Sequence, residues 1–360
     1  LEPAILSLGT ALPQFSMSQI EIADKLSHFM HLEDQEAWYL EKIFKNSAIT
    51  KRFSVLPDLI HSCTTKTMHD GFLGMSERNN IYKREAPLLA EKSAREALKN
   101  WKKPLTDITH VISVSCTGVI TPGIEFLLAK SLGLRSDVSL LGINFMGCHG
   151  AFKSLKVATK IAKENPKNRI LLVCTELCSL HFKPRGDIES IVIQSLFADG
   201  SAALVMGCEP SESEKIIFKV LEERSVAIHD TLDDMTWDAG DEGFHMTLSQ
   251  RVPTLIGMHI ESFVHNLLGK DKNLQTYEWA IHPGGKLIIE SVEKALSLDK
   301  STTTSTWNVL STCGNISSAT FLHVLKDIQN RKIDKEKVVG LGFGPGLSVE
   351  GLVLEALKEK

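Results

Sequence analysis

The chain has 360 residues, 43% of them hydrophobic and 23% charged, with a formal net charge of −4. That length allows two domains or one large duplicated unit around a substantial core, and the slight acidity excludes nucleic-acid binding as its main business. Seven cysteines, an odd number spread over a long chain, do not form a disulfide framework and point to a reducing, cytoplasmic setting.

No Cys/His spacing makes a zinc site. No apolar run is long enough to span a membrane, and no signal peptide is visible. Near the start, SQIEIADKLSHFM predicts a helix with Ile20, Ala23, Leu26 and Phe29 in phase. KIFKNSAITKRF carries Lys42, Lys45, Lys51 and Arg52. Such a run is either a solvated face or a landing place for the phosphates of a nucleotide-bearing substrate. Residues 83–101 predict an amphipathic helix that buries Leu89, Ala90, Ala94, Ala97, Leu98 and Trp101. Pro87 suits a first turn, which places the helix start shortly before it.

Strand and helix signals then alternate. THVISVSCTG reads as a strand, GIEFLLAKSLGL as a helix stopped by Gly133, and VSLLGINF as a strand. NRILLVCTEL and ADGSAALVMG read as further strands, with Cys174 and Cys178 in the core. The alternation predicts crossover connections and a largely parallel sheet. The acidic stretch EPSESEK divides the chain into halves, 1–210 and 211–360. In the second half IIFKVLEERSV predicts a strand, and residues 230–270 a loop followed by a helix. TYEWAIHPGG is a strand ending in a Gly turn before the helix KLIIESVEKAL, and TWNVLSTCGNISSATFLHVLKDI reads as strand, turn, helix. GLGFGPG is no phosphate loop, because a strand-like segment follows it where a helix must open. It reads instead as a packing or turn element near the site.

Chemistry falls at the strand ends. Cys148 lies in GINFMGCHGAF, on a Gly-flanked turn just ahead of a helix whose face is Ala151, Leu155, Ala158 and Ala162. A thiol there is either a buried structural residue or a nucleophile whose pKa is lowered by the helix's positive end. His282 in AIHPGG is a hydrogen-bonded structural residue or a catalyst, and Asn315 in CGNISSA is a helix cap or an oxyanion donor. Asn315-Ile316-Ser317 also matches the glycosylation pattern, discounted for want of a secretion signal. Together the three groups answer one need. Cysteine holds an acyl group as a thioester, while His and Asn donate to a thioester carbonyl as it becomes an enolate. That set can drive decarboxylation of a malonyl thioester and its condensation with acyl-Cys148. Pairing with His282 is expected to hold Cys148 as thiolate.

In chain order, SCTGVITPG, GCHGA, FADGSAAL, IHPGG, GNISSA and GFGPGLSVE resemble the type III polyketide synthases, the chalcone synthase-like branch of the thiolase superfamily, nearly end to end. The resemblance implies an α/β thiolase-like fold, with two duplicated βαβαβ halves packed as an αβαβα layered sandwich. It implies Cys148 as acyl-bearing nucleophile and His282 and Asn315 as decarboxylation and oxyanion partners. Phe197 and Phe244 fall at the family's two gatekeeper aromatics. Cys116, His181 and Ser317 fall where the elongation cavity is shaped, with Met235 close to it, and Thr121 where the family reaches across a homodimer interface. Of the basic positions that meet CoA phosphates in plant members only Lys42 matches; Tyr39 and Asn46 stand at others, with Lys45 near enough to compensate. His181 replaces a small Thr of plant chalcone-forming members, so chalcone is not the expected product. MSERNNIYKREAPLLAEKSAREAL is similar to bacterial members, many of which take fatty acyl starters.

The expectation is therefore iterative condensation of malonyl-CoA onto an acyl-CoA starter, with closure to an alkylpyrone or alkylresorcinol. A phloroglucinol-type ring or an aromatic-primed pyrone is the alternative product. No metal or cofactor is expected beyond the CoA thioesters, and an acyl carrier protein is the alternative donor. Two other readings stay open: a priming 3-ketoacyl-carrier-protein synthase, and a non-catalytic acyl-binding scaffold that kept the fold.

Overall fold

The computed structural model describes residues 2–58, 73–269 and 273–357. The first half runs β1 (Pro3–Ala11), β2 (Phe15–Ser18), α1 (Gln19–Phe29), α2 (Asp34–Lys45), β3 (Lys51–Ser54), α3 (Met75–Trp101), β4 (His110–Ser115), α4 (Ile124–Leu132), β5 (Ser139–Asn144), α5 (Gly150–Glu164), β6 (Arg169–Leu177), α6 (Ile188–Gln194) and β7 (Asp199–Cys208). The second runs β8 (Phe218–Ala227), β9 (Met235–Gly240), β10 (Gly243–Leu248), α7 (Val252–Leu268), β11 (Glu278–Ile281), α8 (Lys286–Ala295), α9 (Thr304–Cys313), α10 (Thr320–Arg331), β12 (Lys337–Gly344) and β13 (Ser348–Ala356).

A nine-stranded sheet takes the order β11-β12-β13-β8-β1-β7-β6-β4-β5. Its two portions join where β1 meets β8 antiparallel at Ala4–Lys219 and Ile5–Phe218. Strand burial follows the period of two. Trp279 and Ile281, Val339 and Leu341, Val349 and Val353 face α7 and α8. Ala280, Val338, Leu352 and Leu354 face the opposite way, into a layer with Phe152, Leu155, Phe321 and Leu325 of α5 and α10. On the first half that same layer meets Ile112, Leu172 and Leu204, while Val111, Leu171 and Val205 turn to α3. The layers are thus α3, sheet, α5 with α10, sheet, α7 with α8: the αβαβα arrangement.

Five sequence expectations need correction. The sheet is mixed, since β6 and β7, β7 and β1, β12 and β13, and β13 and β8 pair antiparallel. Helix α3 starts at Met75, so Pro87 lies in its interior. The hydrogen bond that Pro87 cannot donate would have gone to the carbonyl of Lys83, on the exposed face, where water can serve it. Ile20 is exposed, and α1 buries Gln19, Ile22, Ala23 and Leu26 instead. Residues 235–248 form the hairpin β9–β10 ahead of α7. Thr304–Cys313 is helix, not strand. The Gly-rich run does pack as expected. A Cβ on Gly342 would lie 2.4 Å from the Phe152 ring, and one on Gly344 2.6 Å from His149.

Candidate active site

Cys148 sits between β5 and α5, in a short 3-10 turn that runs straight into the helix. Phe145 (φ 59°) and Gly147 (φ 71°) turn the chain in left-handed conformations. A Cβ on Gly147 would collide with Pro345 at 2.4 Å, so GFGPG is the wall behind the nucleophile turn. His282 ends β11; its N–H donates to the Leu341 carbonyl at 2.7 Å. Asn315 follows α9. Its N–H donates to Leu196 and its carbonyl accepts from Ala198, which ties it to the Phe197 strap. The Asn315 Oδ1 accepts from the Ser317 N–H at 2.8 Å and from Thr320 Oγ1 at 3.3 Å, which leaves Nδ2 as the donating end, 3.2 Å from the Gly284 carbonyl. Burial of Asn315, Ile316 and Ser317 removes the glycosylation reading.

Two cavities meet at Cys148. The larger, about 680 Å³, is lined by Cys148, His282, Asn315 and Phe197, by apolar groups such as Val192, Leu248 and Ile288, and at its rim by Tyr39, Lys42, Asn46 and Lys286. The smaller, about 300 Å³, is lined by Cys148, Phe197, Phe244, Cys116, His181, Ser317 and Met235. Phe197 and Met235 border both. Ten residues named from the sequence are thereby brought together. Two are not. Lys45 pairs with Glu41 at 2.5 Å and lines neither cavity, because it leaves the face of α2 that Lys42 and Asn46 share. Thr121 is exposed in the loop between β4 and α4 and lines neither cavity within one chain. Arg52 is buried, donating to Gln19 and to the Phe197 carbonyl, so it is no phosphate contact.

Burial works against the ionised pair that the sequence reading expects. Burial pushes the Cys148 thiol up to about 11; hydrogen bonds from Ser317 and Asn315 oppose this, and the Glu176 charge adds to it. His282 is pulled down to about 3 by burial, with His149 adding to it. Among the described residues neither ring nitrogen of His282 has a protein hydrogen-bond partner, Cys148 included. Burial thus favours the neutral form of both groups, and the imidazole, without a partner among the described residues, faces a cavity. Buried polar atoms are left unpaired at a cost of about 1–3 kcal/mol, which a substrate carbonyl accepting from His282 would recover.

Several contributors escaped the sequence reading. Glu176 is fully buried under the site. It accepts from the Cys116 N–H, Thr117 Oγ1 and Ser318 Oγ at 2.9, 2.9 and 2.5 Å, and burial raises it to about 7. Its signal was the one acidic residue inside the largely apolar run ILLVCTELC. Trp237 donates to the Cys116 carbonyl at 2.7 Å and stacks with Phe244 and His181. His181 accepts from the Phe244 N–H at 3.1 Å on Nδ1 and donates from Nε2 to the Thr117 carbonyl at 2.8 Å. Both its nitrogens are engaged, so it holds the cavity wall. Lys286, Lys183 and Gln194 carried no signal that sequence spacing exposes. Among the described residues no His, Cys, Asp and Glu cluster suits a metal ion, six cysteines are unpaired thiols, and no helix is long and apolar enough to cross a membrane.

Comparison with known proteins agrees with this geometry. The family pattern "Chalcone and stilbene synthases, N-terminal domain" matches residues 2–210, and its C-terminal counterpart matches residues 225–358. The chain is 36% identical over 98% of its length to "Probable polyketide synthase 1" of Dictyostelium discoideum, of which it spans only 11%. It is 31% identical, over 98% of the chain and 92% of the relative, to "Type III polyketide synthase A" of Arabidopsis thaliana. The crystal structure of the C-terminal type III polyketide synthase domain of Steely1, a type I/III hybrid from Dictyostelium, superposes with a TM-score of 0.94 at 35% identity, covering 99% of both chains. None of these relatives is bacterial, so the expected bacterial affinity gains no support. The chain belongs to the chalcone and stilbene synthase family, the type III polyketide synthases, acyltransferases that perform decarboxylative Claisen condensation.

Proposed function

We propose that this chain condenses malonyl units onto an apolar, fatty acyl starter held on Cys148 and releases an alkylpyrone or alkylresorcinol. The observation that carries the reading is the convergence of Cys148, His282 and Asn315 where two cavities meet. The starter thioester enters by the larger, mostly apolar cavity. As the Cys148 sulfur bonds to its carbonyl carbon, the thiol proton passes to His282 and then to the departing thiol of the donor. Malonyl-CoA follows. Its carboxylate leaves as CO2, and the electron pair left on the α-carbon delocalises onto the thioester oxygen, which accepts from His282 and from Nδ2 of Asn315. That carbon attacks acyl-Cys148, and the thiolate leaves. Phe197 and Met235 narrow the junction and exclude water that would protonate the enolate. The extended chain then occupies the smaller cavity, walled by Cys116, His181, Phe244 and Ser317. The reaction draws on no metal and no cofactor beyond CoA.

Lys42 and Lys286 at the rim suit the donor's phosphates. A carrier protein is an equally fitting starter donor, because the Steely1 relative is a type I/III hybrid. The chain is further proposed to be a homodimer. β5 is an edge strand with exposed Leu141, and Phe126, Phe145 and Met146 are exposed beside it. A second copy laid there would carry Thr121 toward its partner's cavity. Six unpaired cysteines among the described residues fit a reducing cytoplasm. Incubation with malonyl-CoA and acyl-CoAs of graded length tests the reading, with acylation of Cys148 followed by intact mass and products by mass spectrometry. Long-chain acyl-CoAs are expected to give multiply extended pyrones or resorcinols. Single condensations confined to a carrier-protein donor would favour a priming synthase, and an inert Cys148 would leave only a scaffold.

A further inference from the structure

The smaller cavity has a polar end that the chemistry at Cys148 does not use. Lys183 and His245 line it and lie outside the larger cavity. Lys183 is 8% exposed, and its Nζ lies 2.9 Å from His245 Nε2 and 3.1 Å from Nδ1. His245 is held in place by the hairpin turn, where a Cβ on Gly240 would strike its ring at 2.6 Å. Gln194 lines the same cavity and is 4% exposed. Its Nε2 donates to the Arg185 carbonyl at 2.8 Å, which fixes the amide so that Oε1 is the free end. That Oε1 is buried without a hydrogen-bond partner. A cationic donor and an orphaned acceptor therefore share one confined space. Arg185, which also lines the cavity, pairs with Glu242 at 3.0 Å on its exposed side.

A 1,3-dicarbonyl unit matches this pair of groups. Its enolate oxygen accepts from an ammonium, and its enol hydroxyl donates to an amide carbonyl. We propose that Lys183, steadied by His245, and the free carbonyl of Gln194 form a subsite that holds a β-dicarbonyl unit of the growing chain in its enol or enolate form. The subsite sets the fold of the chain before release, and it rests on the reading of this cavity as the elongation chamber. Lys183 is largely shielded from solvent, and there its attraction for an enolate is stronger than in open water. Burial, with the Arg78 guanidinium adding to it, brings the amine down to about 8, so it exchanges protons readily near neutrality.

The test compares wild type with Lys183→Met, Lys183→Arg and Gln194→Leu, all supplied with lauroyl-CoA and malonyl-CoA. The readout is the ratio of fully extended, ring-closed products to short derailment lactones, with acyl-Cys148 detected by intact mass as the check on folding. Lys183→Met is expected to lower that ratio about tenfold, Gln194→Leu about threefold, and Lys183→Arg to restore most of it, the range expected for losing a partner to one polar group. An unmoved ratio in Lys183→Met that still forms acyl-Cys148 overturns the subsite alone. So does an equal collapse in Lys183→Met and Lys183→Arg, which assigns Lys183 to structure. Wild-type enzyme that acylates Cys148 yet releases no CO2 overturns the condensing reading and the subsite with it.

Discussion

The two halves share a strand order but not an edge. Counted in chain order within the sheet, the first half runs third, second, fourth, fifth, first, as β5-β4-β6-β7-β1. The second runs second, fourth, fifth, first, as β11-β12-β13-β8, and α9 stands in the chain where a third strand would come. Equivalent positions therefore bear the chemistry. Cys148 follows the third element of one half and Asn315 that of the other; Cys116 follows β4 and His282 follows β11. The difference lies in how each edge is managed. β5 is an open edge with most of its residues exposed, whereas β11 is buried throughout. Thr306 of α9 accepts from the Ile281 N–H at 3.0 Å and donates to the Trp279 carbonyl at 3.2 Å, replacing a neighbouring strand. Unpaired strand edges invite other strands. One half covers its edge with its own helix, and the other leaves its edge open, where a second copy of the chain is proposed to lie.

The division of labour between halves gives the largest expected effects. Cys148→Ala removes the covalent carrier and should lower polyketide formation more than about a thousandfold, while malonyl-CoA decarboxylation, which needs the second half's donors, continues. Asn315→Ala should do the reverse: acyl-Cys148 still forms, and CO2 release falls about a hundredfold, as for removal of an oxyanion donor. Paired assays of acyl-enzyme by mass and of CO2 release check both. Next comes the edge. A charge at Leu141 or Phe126 should raise the dimer dissociation constant about a hundredfold or more, as burying an unpaired charge at an interface core does. Sedimentation velocity reads this, and a wild-type monomer would break the comparison.

Smaller effects sharpen it. Gly342→Ala forces a methyl into Phe152 and should destabilise the layer between the halves by about 1–3 kcal/mol, read as a lower thermal midpoint. Both halves bury neutral histidines. His149 and His323 are brought down to about 4, and His181 and His282 to about 3, chiefly by burial. The unfolded chain takes up these protons below about pH 6.5 and the folded chain does not. Stability should therefore fall as pH drops from about 6.5 toward 4. Raised Glu176 and Asp199, at about 7 and 6, act the other way, since folding favours their protonation and their contribution is lost as pH rises through those values. The histidines outnumber them, so denaturant midpoints should decline on acidification. Glu176→Gln removes a charge that raises the thiol, so Cys148 should titrate about one unit lower in the pH dependence of its alkylation.

Turn chemistry was the legible part of the chain. The glycines around Cys148, His282 and Asn315 marked turns at element ends, two after strands and one after helix α9, and the structure puts all three around one junction. Ionisation was not legible, because the burial of Cys148 and His282 and the charge beside the thiol come from segments distant in sequence, the Gly344–Pro345 wall and Glu176 under the site among them. TWNVLST was misread for a related reason. Its β-branched residues favour a strand locally, but covering the β11 edge through Thr306 requires a helix, and tertiary context prevailed. Lys183 and Gln194 were invisible since only the β9–β10 hairpin, read as loop, brings His245 and the cavity wall to them.

That an imidazole and a carboxamide act on one oxygen is best tested by a double-mutant cycle on malonyl-CoA decarboxylation with His282→Ala, Asn315→Ala and the pair. Shared work on a single enolate predicts a coupling of at least about 1 kcal/mol, with the double variant little slower than the worse single. Strictly additive losses would place the two side chains in separate steps and contradict the account.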